Sequence, residues 1–172
     1  LGIDTLKWVS GASTSTVAVT DIVATTTTAT IANVEVLELE TTDGSGNTAY
    51  TVDMDYFDSI SSLVLDANDA SNANSFTLND ITAAQMGGIT AQVAAGGITV
   101  VLDQKVGTGT ADSTVINASL GATSGTLTVT DSNNNFESLT INATGTAAQT
   151  IAITNGDFTG TTAAPATLTV TG

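Results

Sequence analysis

Apolar and polar residues alternate with period two along much of this chain, most cleanly between Leu127 and Thr154. Leu127-Thr128-Val129-Thr130 is followed by Leu139-Thr140-Ile141-Asn142 and then by Ile151-Ala152-Ile153-Thr154, so that the phrases start at the evenly spaced positions 127, 139 and 151. A branched apolar residue alternating with a small or polar one predicts a short strand with one buried face. Between the phrases, Asp131 to Asn135 and Asn142 to Gly145 carry turn chemistry, because Asn and Gly accept positive φ.

The same alternation extends upstream. Val34 to Leu39, Ala49 to Asp55, Ile60 to Leu65, Phe76 to Leu78, Ile89 to Ala95, Ile98 to Leu102 and Val115 to Ile116 are predicted strands, and Leu168 to Val170 closes the series. In the second of these, Val52, Met54 and Tyr56 fall on one face and Asp53 and Asp55 on the other. Asp80 to Met86 predicts a short helix, capped by Asp80 or Thr82 and stopped at Gly87-Gly88, and its expected place is a rung cap or a lateral bump. Strand centres at Leu39, Val52, Leu65, Leu78, Ala91, Leu102, Ile116, Val129, Ile141 and Ile153 follow one another almost evenly. This is an internal repeat, steady in length rather than in identity. Residues 1–30 form a less regular N-terminal segment, with candidate strands at Leu6 to Val9 and Val17 to Val19 and a Thr-rich run at Ala24 to Thr30. Residues 31–172 read as one repetitive β domain.

Two all-β architectures accommodate this spacing. One is a parallel β-solenoid of short strands, with Gly, Asn and Asp turns kept in register from rung to rung. The alternative is an immunoglobulin-like β-sandwich, whose short strands recur at a comparable interval. The even interval, a single proline at Pro165 and the shortage of large aromatics favour the solenoid. The one tryptophan, Trp8, falls outside the repeat and gives a sandwich core no centre.

Composition narrows the partners. Seventeen acids face two bases, Lys7 and Lys105, for a net charge of −15, and the chain has no Arg, His or Cys. Nucleic acid is excluded as a partner, since phosphate binding needs clustered Lys and Arg. Anionic membranes and phosphorylated cofactors are disfavoured by the same deficit. Without Cys there is no disulfide framework, zinc cluster or thiol nucleophile. No apolar run is long enough to span a membrane. Beginning without Met and ending on a strand phrase, the chain reads as a fragment or mature portion of something longer.

The Thr/Ala/Asn/Gly/Val composition, the missing Cys and His, the Asp-rich turns and the phrase Asp80 to Gln85 followed by Gly87-Gly88 resemble bacterial surface-layer (S-layer) proteins and RTX-like secreted adhesins. The likeness covers the chain from about Ile31 onward, although the RTX nonapeptide itself does not occur. It implies a calcium-dependent β-solenoid assembling into arrays, coats or filaments outside the cell.

Calcium takes six to eight oxygens from carboxylates, amides and carbonyls, usually along a turn. Four clusters have that character: Asp53, Asp55 and Asp58; Asp66, Asn68 and Asp69; Asp131, Asn133 and Glu137; and Asp43, Ser45 and Asn47. Each also reads as ordinary turn chemistry on a solvated surface, but the self-repulsion of −15 makes Ca2+ an expected ligand somewhere. For catalysis, Asp53 and Asp55 are the nominal carboxylate pair, as in glycoside hydrolysis, but the aromatic platforms that sugars need are lacking. No enzyme is expected. The sequons Asn117-Ala-Ser119 and Asn142-Ala-Thr144 are chance matches in a chain this rich in Asn and Thr. The reading is an extracellular, cell-surface structural protein: a segment of a surface layer, filament or large adhesin that self-assembles with calcium, with a cell-surface glycan as a candidate partner. The alternative is a β-sandwich adhesin module binding a cell-surface ligand.

Overall fold

The computed structural model of the chain describes residues 2–10, 16–18, 31–42, 48–68, 73–93, 96–105, 113–121, 125–131, 138–145, 148–154 and 167–172. Its strands alternate between two sheets. One sheet stacks β1 (Thr5–Ser10), β3 (Val36–Thr41), β5 (Ser62–Ala67), β7 (Ile89–Val93), β9 (Ser113–Leu120), β11 (Ser138–Thr144) and β13 (Thr167–Thr171) in that order. The other stacks β2 (Thr16–Ala18), β4 (Ala49–Asp53), β6 (Ala73–Ile81), β8 (Gly96–Gln104), β10 (Gly125–Asp131) and β12 (Thr150–Thr154). Every pairing within the two sheets is parallel. The chain is a parallel β-solenoid. The sandwich alternative falls with this observation, because its neighbouring strands run antiparallel.

The interval legible in the sequence is half of the structural one. Leu127 and Ile151 are neighbours on β10 and β12, whereas Leu139 between them lies on the opposite sheet, beside Thr114 and Leu168. A turn of the solenoid returns after two phrases, so that Leu37, Leu63 and Ile89 stand in register, each a full turn beyond the last. A parallel partner cannot be reached by a tight hairpin. The intervening strand of the other sheet, with a corner at each end, serves as the crossover.

The core fills the space between the sheets. Burial alternates along β3, β5, β8 and β10, placing Leu37, Leu39, Leu63, Leu65, Val100 and Val129 inside. Tyr50 stacks on Phe76 one rung away, ring centroids 5.4 Å apart. Some inward polar groups find partners between rungs, although Thr48 Oγ1, Asn74 Nδ2 and Gln104 Oε1 find none among the described residues. The Thr114 hydroxyl donates to the Met86 carbonyl at 3.1 Å, and the Thr48 amide donates to Asn74 Oδ1 at 3.1 Å. Into the first thirty residues the sheets continue as β1 and β2. Trp8 lies in register with Leu39 and packs against the core, so it belongs to the repeat rather than outside it.

Two local expectations need correction. The strand at Ala49 stops at Asp53, and Met54–Tyr56 forms a 3-10 turn in place of further strand. The Asp53 side chain accepts from the Asp55 amide at 3.0 Å, which folds the backbone over at that point. The helix is one turn, α1 (Ala83–Met86), with Thr82 at its N-cap. Asp80 is still on β6, at φ 55° beside a register shift between Leu78 and Ile81. Buried Gln85 holds this corner together. Its Oε1 accepts from the Thr82 amide and hydroxyl at 2.9 Å each, and its Nε2 donates to the Phe57 carbonyl at 3.3 Å. Gly88 then passes so close to the previous rung that a Cβ there would lie 2.3 Å from the Ser61 carbonyl oxygen. The helix is a lateral bump at mid-stack, joining β6 to β7.

Candidate cation sites

In-register parallel stacking puts residues one turn apart side by side, and this gathers acids that are distant in sequence. On the outer face of the seven-stranded sheet, Glu38 and Glu40 of β3 point the same way, and Glu40 pairs with Asp66 of β5. Their carboxylate oxygens lie within 4.8 Å of one another. A second triad forms at the corner after β4 and β6. Asp53 ends its strand, Asp55 sits on the 3-10 turn, and the bulge brings in Asp80, again within 4.8 Å.

Each of the two lysines is committed to one triad. Lys7 of β1 pairs with Glu38 at 2.7 Å and also bridges to Glu40. Those hydrogen bonds, with Glu38 the larger influence, raise its pKa above the ordinary lysine value. Lys105 bridges to Asp55, which raises its pKa as well. Neutralisation is incomplete. The Asp66 carboxyl is pushed up, first by desolvation and then by Glu40 and Glu38. The Asp80 carboxyl is pushed up by desolvation and by Asp55, Asp53 and Asp103.

The expected clusters are therefore partly regrouped. Asp53 and Asp55 do converge, but the third carboxylate is Asp80; Asp58 lies exposed just beyond the 3-10 turn, lining with Asp55 and Lys105 a shallow hollow of about 190 Å³. Asp66 converges with Glu38 and Glu40, while Asn68 shares with it a groove of about 240 Å³ that runs past Gln92 and Ser119. Asp131 points inward at the end of β10, 3% exposed. Asp43, Ser45, Asn47, Asp69, Asn133 and Glu137 lie outside the described residues. The sequence hides the contributions of Glu38, Glu40 and Asp80, because its visible interval is a single phrase. A full turn of two phrases leads from Glu40 to Asp66, and from Asp53 to Asn79 beside Asp80.

Three carboxylates offer three to six of the oxygens calcium takes, with carbonyls or water to complete the shell. Donor chemistry fits a hard cation, and in each triad a lysine ammonium already holds part of the space. The sequons stand in strands β9 and β11, where Asn142 Nδ2 donates to Asn117 Oδ1 at 2.9 Å and the Thr171 hydroxyl to Asn142 Oδ1 at 2.8 Å. They form a rung-to-rung ladder. No helix among the described residues is long and apolar enough to cross a membrane. Comparison with protein-family models, curated proteins and solved structures finds no match.

Proposed function

We propose that the chain is an extracellular structural protein, a solenoid segment of a bacterial surface layer, filament or large adhesin, that self-assembles with the help of calcium. The observation that carries this reading is the pair of continuous in-register parallel sheets. A solenoid is quasi-one-dimensional, each rung contacting only its neighbours, so it suits extended scaffolds. It also presents strand edges that template further pairing. Among the described residues β12 and β13 each have one strand neighbour, and no acid lies on β13. On the outer face of the seven-stranded sheet Glu38, Glu40 and Asp66 supply the charge that opposes close approach of a second copy. Calcium at the two triads relieves that repulsion and favours assembly. In this reading the acids are structural and no reaction is catalysed.

Light scattering at fixed protein concentration, across a calcium titration and back into chelator, tests the proposal. Assemblies that grow with calcium and dissolve on chelation are expected. A particle that stays monomeric throughout overturns it.

A further inference from the structure

The outer face of the six-stranded sheet differs from the rest of the molecule. From β4 to β10 its outward mid-strand positions are small and uncharged: Thr51, Ser75, Thr77, Thr99 and Val101 on the earlier strands, Thr128 and Thr130 on β10. The outer face of the other sheet carries Lys7, the Glu38–Glu40–Asp66 triad and the projecting Asn117–Asn142 ladder instead. Two features break the evenness of the threonine-rich face, and they lie at opposite ends of its strands. At the N-terminal margin, where Ala73 and Gly97 have little or no side chain, a hollow of about 350 Å³ opens against Thr99, Thr126 and Thr128. At the C-terminal margin stand the longer side chains of Asp53, Asn79 and Asp103.

We infer that this face packs against the same face of a second copy, with the strands of the two copies antiparallel across the contact. The inference rests on the self-assembling reading above and assigns it a surface. Charge decides the orientation. Strands running parallel across the contact would set the two acidic margins against each other, among them Asp103, which stands outside the calcium triads. Antiparallel strands hold those margins a strand length apart, about 17 Å, beyond the roughly 8 Å over which physiological salt leaves charges unscreened. Shape agrees. In the antiparallel arrangement the raised acidic margin of each copy lies over the hollow of the other, where the threonine hydroxyls can donate to its oxygens. The two-fold axis then runs along the stack, and the copies point the same way. Four strands about 4.8 Å apart and about 17 Å long give a footprint of about 330 Å² per copy. That is less than half of the roughly 800 Å² per partner of a standard interface. The contact therefore forms at high local concentration and gains strength when repeated along an assembly.

Because the chain has no cysteine, single-cysteine variants report the contact directly. Thr99→Cys sits at a mid-strand position of β8, one of the two inner strands of the face, and Thr140→Cys sits on the outer face of the other sheet. Under mild oxidation at concentrations where light scattering shows assembly, Thr99→Cys is expected to give covalent dimers and Thr140→Cys to give none. Thr128→Glu, which sets like charges across the contact, should raise the concentration needed for assembly by about tenfold or more. Unchanged circular dichroism would show that the fold is intact. Assembly that persists with no Thr99→Cys dimer, or that Thr128→Glu leaves unmoved, overturns the inferred face while leaving self-assembly standing. A wild-type chain that never associates overturns both.

Discussion

Asp66 and Asp80 show how the fold sets the state of single groups. Both carboxyls are raised above their ordinary value because they lose water and face other acids. A raised folded-state value means that the folded protein holds the proton more tightly than the unfolded chain. Stability therefore falls as pH rises through the folded value, and the ionised protein at neutral pH carries the penalty. In chelator, Asp66→Asn is expected to raise the melting temperature at pH 7. The gain should fade as pH drops through the folded value and vanish below the unfolded value near 3.8, where the wild-type carboxyl becomes protonated in both states. Melts of both proteins between pH 4 and 7.5 check this, and a gain independent of pH would show that the carboxylate charge is not its source.

At the scale of an element, β11 carries its information in parity. Ile141 is fully buried in the shared core, whereas Thr140 on the same strand faces outward between Val115 and Thr169. Ile141→Asp places an unpaired charge among apolar side chains and should cost more than about 4 kcal/mol. Thr140→Asp should stay within about 1 kcal/mol, since its partners on the two neighbouring strands are not acids. Urea denaturation of the two variants separates the cases, and equal losses would contradict the register. This strand was legible in the sequence because alternation depends only on which residues prefer water. The turn at Asp80 was less so. Thr82, Gln85 and Gly88 were visible as helix start, helix former and stop. That Gln85 reaches Phe57, and that Gly88 yields to Ser61, depends on the rung one turn earlier.

Across the whole molecule, a net charge of −15 is distributed over a stack that brings acids together from successive turns. Only Lys7 and Lys105 oppose it. A cation bound to the native state alone adds about 2.7 kcal/mol at a hundred times its dissociation constant. For a chain of this size that corresponds to about 2–4 °C in melting temperature per kcal/mol. Thermal melts in calcium should therefore lie several degrees above melts in chelator, and coincident midpoints would remove the cation from the stability of the fold.

Sequence alone determined that the chain is a run of short strands, where most of them lie, and which parity of each faces inward. These are local consequences of alternation and turn chemistry. It also showed a chain in which seventeen acids face two bases. Tertiary structure decided how the strands are shared between two sheets, because a parallel neighbour must be reached through a crossover and not through a hairpin. That choice doubled the repeat. It put Leu139 on the sheet opposite Leu127 and brought Trp8 into register with Leu39. It also set Asp66 beside Glu40, a full turn away in sequence. Proximity in a solenoid follows the length of a turn, and that length emerges only when the second sheet closes on the first.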